Sequence, residues 1–203
     1  PTDTLLVNQS ESVSSLGPFA SVHWSPTGTV TLDAGARWDR LTFAVRDHFL
    51  GDGADNSGSR DMTASSGHLG ASWSISAELT PYASYSTAFE TPTTTELNAR
   101  ADGQGGFNPD LGPQRVRTIE AGARGAIGGR LTYSLSVFRA EAEDAIIQYL
   151  ESNGRAYFRN AGRTRNDGVE LGLAARVTEW LDLHAAWQIQ AVVGQQPAQI
   201  GVP

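Results

Sequence analysis

Histidines at 23, 48, 68 and 184, aspartates at 52, 55 and 61, and arginines between 155 and 165 are the residues of this chain with chemistry to offer. A metal site needs ligands on one face, as HxH or HxxxH spacing supplies, and none of the four histidines has such a neighbour. Exposed imidazoles account for them. Ser66-Gly67-His68 together with Asp61 has the residue types of a nucleophilic triad, but a triad is defined by geometry and nothing else in the sequence supports one. Asp52, Asp55 and Asp61 in GDGADNSGSRD offer oxygen ligands to calcium, yet their spacing is not that of an EF-hand, and a solvated loop is the plainer reading. The densest cationic stretch holds Arg155, Tyr157, Arg159, Arg163 and Arg165. It would attract an anionic ligand, with Arg155, Tyr157 and Arg159 the candidate contacts, or it pairs with Glu141, Glu143 and Asp144 just before it, the simpler account. No catalytic residue, resident metal or cofactor is expected.

The totals narrow the classes further. With a formal charge of −7 and a pI near 5.0, the 203-residue chain lacks the basic surplus of a nucleic-acid binder. It has no cysteine, so disulfides, thiolate zinc sites and cysteine nucleophiles are absent. No apolar run approaches the ~18 residues of a spanning helix. The start, PTDTLLVNQS, has no basic end and no apolar stretch, and we expect a chain cut from something longer.

What must position any site is written with a period of two. Val30, Leu32, Ala34, Ala36 and Trp38 alternate with Thr31, Asp33, Gly35 and Arg37. Leu69, Ala71, Trp73 and Ile75, then Val169, Leu171, Leu173 and Ala175, and finally Leu181 to Ala191 repeat the pattern. Alternation of this kind is a sheet with one apolar and one polar face. Eight segments follow, near 16–25, 29–47, 62–77, 79–90, 114–126, 130–149, 156–177 and 180–192. Several exceed the ~5–6 residues of globular strands and match the ~9–11 of membrane strands. Short connections at Pro26-Thr27-Gly28, Ala77-Glu78, Gly128-Gly129 and Thr178-Glu179 alternate with longer ones at 51–61, 91–113 and Ser152-Asn153-Gly154, as turns and loops do in an outer-membrane barrel.

In such a barrel Trp24, Trp73 and Tyr133, on the apolar face near short turns, form an aromatic membrane girdle. The polar face is the lumen wall, where Asp33 and Arg37, Glu120 and Arg124, and Glu170 and Arg176 place mixed signs that can pair across strands. Phase changes at Val137-Phe138 and at Arg163, Arg165 and Asp167 predict a bulge or the membrane rim.

Three fragments carry a family resemblance: YASYSTAFETPTTTELN, GGFNPDLGPQRVRTIEAGARG and YFRNAGRTRNDGVELGL. Their order and spacing resemble the second half of the barrel of TonB-dependent outer-membrane receptors. The matching residues are Phe89, Pro92, Glu96 and Leu97; Asn108, Pro109, Leu111 and Pro113; Glu120 and Gly122; and Asn160, Gly162 and Gly168 to Leu171. Gln114 departs from the family's usual acid. The resemblance implies an all-β, antiparallel transmembrane segment of roughly eight strands from a barrel of about 22. It implies a partial barrel domain over 1–203, without plug domain or closing C-terminal strand. The implied site is bacterial outer-membrane lipid, and the implied work is active import of a scarce ligand such as a ferric siderophore, energised by the TonB complex through the missing plug. The proline-marked loops would then shape the extracellular mouth, with each proline ending a ladder.

Two other architectures fit the alternation. A self-contained eight-stranded barrel with a structural or adhesive role requires closure between the first and last strands. A soluble β-sandwich that binds carbohydrate or protein requires two apolar faces meeting in a core.

Overall fold

The computed structural model describes residues 8–53, 55–102, 105–151 and 154–195. Eleven strands follow in order: β1 (Gln9–Leu16), β2 (Phe19–Trp24), β3 (Val30–Asp47), β4 (Gly58–Trp73), β5 (Thr80–Glu90), β6 (Gln114–Ile127), β7 (Leu131–Glu143), β8 (Ile146–Leu150), β9 (Ala156–Asn160), β10 (Arg163–Thr178) and β11 (Leu181–Gln195). One short helix, α1 (Thr94–Asn98), lies between β5 and β6.

Nine strands form a single antiparallel sheet in the order β1-β3-β4-β5-β6-β7-β10-β11, with β2 beside β1 along the same edge of β3. Antiparallel neighbours need only tight connections, and the chain uses them at one end: 25–29, 74–79, 128–130 and 179–180. At Gly128 and Gly129 both φ angles are positive, 59° and 65°, as a two-residue turn matched to strand twist requires. At the opposite end run the long connections 48–57, 91–113 and 144–162.

The sheet is open. Among the described residues β1 and β2 pair only with β3, and β11 only with β10, so the closure that a self-contained barrel needs is not present. Nor, among the described residues, does a second sheet cover the apolar face. Leu69, Trp73, Val137 and Ile189 on that face are each more than half exposed, which removes the sandwich. On β3 the apolar outer band runs from Val30 to Trp38. With membrane-strand rise and tilt this is about 20 Å high, close to the apolar belt of an outer-membrane barrel.

Several sequence expectations are corrected. The segment expected at 16–25 begins at Gln9 and is split at Gly17-Pro18, where the proline has no donor for the ladder; Pro18 still accepts from Trp38 N at 3.1 Å. The segments expected at 130–149 and 156–177 are each two strands. The chain leaves the wall at Asp144 (φ 56°), forms the separate hairpin β8–β9 and returns after Gly162 (φ 94°). No bulge exists at Val137-Phe138: β7 keeps one unbroken register with both β6 and β10. The phase change there is one of environment, since the outer face passes from Val137 to Arg139. Ser152, Asn153 and the tail from 196 lie outside the described residues.

Candidate functional site

Among the described residues the one cluster of buried apolar side chains sits at the long-loop end. In the upper half of β3 the apolar residues change sides: Phe43 and Val45 face the side opposite Val30 and Trp38, and Met62 of β4 joins them. Leu97 from α1, Phe107 and Leu111 cover these three, with Ile146 and Phe158 of the β8–β9 hairpin packed alongside. The loops thus fold down onto the inner face of the sheet and form a cap.

Polar groups fix each layer of the cap. Thr93 and Glu96 make a reciprocal capping box: the Glu96 carboxylate accepts from Thr93 N at 2.7 Å, and Thr93 Oγ1 accepts from Glu96 N at 3.2 Å. Buried Asn108 accepts from Asp110 N at 3.0 Å and donates to the Phe158 carbonyl at 3.3 Å, while its backbone N–H reaches the Leu97 carbonyl at 2.7 Å. Its carbonyl receives the Arg60 guanidinium, whose pKa burial pushes down. Asn160 clasps Gly112 from both sides, accepting from its N–H at 2.5 Å and donating to its carbonyl at 2.9 Å. The three fragments that carry the family resemblance therefore meet in space. Pro92 is fully buried, Pro113 and Phe89 are half-buried, and Pro109 is exposed.

The hairpin presents a distinct polar-aromatic face. Tyr149 and Tyr157 stack at 5.5 Å between centroids and 18° between planes, and the Arg159 guanidinium lies 5.1 Å above Tyr157. The sequence reading missed Tyr149; the signal would have been its position directly opposite Tyr157 in a hairpin. Arg155 is committed to the loop itself, binding Glu151 at 2.5 Å and the carbonyls of Arg100 at 3.0 Å and Ala101 at 2.8 Å.

Lower on the inner face the charged residues find partners across strands and along them. Asp33 meets His23 at 2.6 Å, Arg37 forks onto Asp39 at 2.9 Å, and Arg176 reaches Asp182 at 3.3 Å. Tyr82 donates to Glu120 at 2.6 Å with Arg124 over its ring. Glu170 stands opposite Ser136 and Gln188. These side chains share the inner face, as alternation along each strand requires.

Catalytic and calcium arrangements do not assemble. Asp61 points outward to Arg40 and Thr42, whereas Ser66 and His68 lie on the inner face of the same strand. Asp55 is turned onto Ser57 N at 2.9 Å, the side chain of Asp52 lies outside the described residues, and no metal-holding group of three occurs among the described ones. Beside this loop, Phe49 and Asn56 N–H groups donate to Asp47 at 2.9 and 3.1 Å and hold its carboxyl below the usual range. A depressed carboxyl contributes stability that is full above its unfolded pKa and lost as pH falls through the folded one. The loop at 48–57 should therefore keep its protease resistance from pH 7 down to about 3.8 and lose it below, a change Asp47→Asn removes.

On the outer face Trp24 and Trp73 are exposed near the short turns, and Tyr133 reaches across to the Glu78 carbonyl at 2.8 Å. A single twisted antiparallel sheet with an apolar outer belt, a polar inner face and folded loops at one end is the wall of an outer-membrane β-barrel. The family model described as TonB dependent receptor-like, beta-barrel matches residues 1–198, and the chain belongs to that family of outer-membrane proteins of Gram-negative bacteria. It is 31% identical over 109 residues to the protein named Probable TonB-dependent receptor BfrD from Bordetella pertussis, which spans 53% of this chain and 14% of that one. Its fold is similar to the ferric yersiniabactin uptake receptor FyuA from Yersinia pestis (TM-score 0.71, 16% identity, 92% of this chain and 28% of that one). The ferric-catecholate import receptor Fiu from Escherichia coli K12 is similar too (TM-score 0.72, 16% identity, 94% and 29%). The chain thus spans about a seventh of the curated relative and under a third of these structures.

Proposed function

We propose that this chain is part of the barrel of a receptor that imports a scarce ligand across the outer membrane, and that the ligand is a ferric siderophore. The stacked Tyr149–Tyr157 pair with Arg159, held on a hairpin beside the cap, carries this reading. Flat aromatic faces and a guanidinium suit an anionic iron chelate with planar donor groups. Tyr157 and Arg159 would touch the ligand and Arg155 would hold the loop that presents them. The loop residues Phe89, Pro92, Glu96, Leu97, Asn108, Pro109, Leu111 and Pro113 would shape the extracellular mouth, and Asp33, Arg37, Glu120, Arg124, Glu170 and Arg176 the lumen wall. Trp24, Trp73 and Tyr133 would form the girdle at the periplasmic side of the lipid. Residues 1–203 would be a partial barrel domain, with energy arriving from TonB through a plug elsewhere in the full protein. The receptor would perform no chemistry on its cargo.

Similar structures support iron uptake, among them the siderophore receptor PiuA from Acinetobacter baumannii, although another is the copper transporter OprC. The test is uptake of radiolabelled iron from a panel of siderophores in a strain lacking the full gene. Uptake of at least one siderophore should be lost and then restored by the wild-type gene, and Tyr157→Ala with Arg159→Ala should weaken binding about tenfold or more while the barrel remains folded. Unchanged uptake across the panel, with copper accumulation lost instead, would reject iron as the cargo.

A further inference from the structure

The outer face of β6, β7 and β10 changes character within one step along the strands. Val137 is paired with Ala121 and Val169, all apolar. The next outward positions join Ile119, Arg139 and Asp167, then Arg117, Glu141 and Arg165, then Arg115, Glu143 and Arg163. Five guanidiniums and three carboxylates thus share one patch, directly above the apolar belt. The surplus is positive in a chain whose formal charge is −7.

Two of the acids act as bridges. Asp167 accepts Arg139 Nε on one oxygen and Arg165 Nε on the other, each at 2.7 Å. Glu143 forms an ion pair with Arg163 through one oxygen at 3.2 Å and accepts Arg117 on the other. Each of these carboxylates has a guanidinium on both oxygens, whereas every guanidinium carries five N–H donors. The cluster is therefore short of acceptors and rich in donors. Arg163 has 72% of its side chain exposed and Arg117 51%. Guanidinium forks match phosphate oxygens in geometry as well as charge, and exposed Ile119 and Val137 beside them offer a surface for acyl chains.

We infer that this band binds the phosphates of a phosphorylated lipid headgroup in the leaflet around the barrel. The inference rests on the outer-membrane placement of the chain and is independent of which ligand is imported. Such a lipid would seal the rim by supplying the missing acceptors.

The test uses the full-length receptor containing this chain, delipidated in mild detergent without siderophore, with bound lipid read by native mass spectrometry. The probes are a diphosphorylated glycolipid of the lipid A type, its dephosphorylated form, and inorganic pyrophosphate. Arg163→Gln and Glu143→Gln break the same ion pair, so damage to the fold would move both variants alike. Lipid binding moves them apart: retention of the phosphorylated lipid should fall about tenfold in Arg163→Gln, the size of one charge-assisted hydrogen bond, and rise in Glu143→Gln. Parallel loss in both variants, no change in either, or equal retention of the dephosphorylated lipid would overturn the proposal. Pyrophosphate binding as tightly as the lipid would also overturn it, by making the band a site for free anions.

Discussion

Leu111→Ala should loosen the whole cap while leaving the wall intact. Leu97 and Leu111 have no exposed surface, and the cluster they complete has few other members. Truncating a fully buried leucine costs about 2–5 kcal/mol, most where the surroundings cannot collapse into the space. Here collapse is resisted from below by β3 and β4, whose ladder is fixed over 16 paired positions from Val30–Trp73 to Val45–Gly58. It is resisted from above by the Asn160–Gly112 clasp and the Asn108 turn. The loss therefore appears as local opening of 91–113 rather than as global unfolding. Amide exchange at Asn108 and Gly112, whose N–H groups are bonded within the cap, should accelerate by about 30-fold or more, while peptides from β6 exchange as before. Unaltered exchange in the cap would mean that the polar clasps alone hold it. Equal acceleration in β6 would mean that cap and wall open as one unit.

The wall was legible in the sequence because alternation is a direct image of a two-faced sheet. The pattern at Val30 to Trp38 and at Leu69 to Trp73 needs no tertiary knowledge, and the strands found there have the expected faces. Order along the sheet followed from short turns such as Gly128-Gly129. The cap was not legible in the same way. Phe43 and Val45 change sides within an unbroken strand, and only the loop residues that cover them, 50 to 70 positions later in the chain, explain why. The three family-like fragments signalled that their residues belong together, yet the clasp of Gly112 by Asn160 depends on a hairpin that the period-two pattern merged with its neighbours. Individual charge partners were not legible for a simpler reason. Alternation puts mixed signs on one face, but register decides which of them meet: His23 lies directly across from Asp33, and Arg37 finds Asp39 two residues on along the same face. The acids at 141, 143 and 167 with their arginines looked like a fault in the alternation and are instead a band continuous with it.

Gly125→Val is expected to be the most damaging single change in the wall. Gly125 stands opposite Tyr133, and a Cβ at this position would lie 1.9 Å from the Glu78 carbonyl oxygen and 2.3 Å from its carbon. Both are backbone atoms, so no side-chain rotation relieves the overlap. The turn that carries Glu78 is itself tied down: Ala77 accepts from Ala126 N at 2.9 Å, and Leu79 accepts from Ile75 N at 3.0 Å. Moving Glu78 also withdraws the acceptor of the Tyr133 hydroxyl, now at 2.8 Å. Overpacking of about 1–3 kcal/mol and a lost hydrogen bond of about 1 kcal/mol combine to about 2–4 kcal/mol. Gly70 supplies the comparison, because a Cβ there meets only the Asp33 side chain at an ordinary 3.8 Å. Gly70→Ala should leave folding unchanged or slightly favour it through reduced freedom of the unfolded chain. In the full-length receptor refolded from urea into detergent micelles, the heat-resistant folded fraction should drop sharply for Gly125→Val and hold for Gly70→Ala. Equal yields would show that the turn at 74–79 can move away from β6, and that Tyr133 anchors the rim without it.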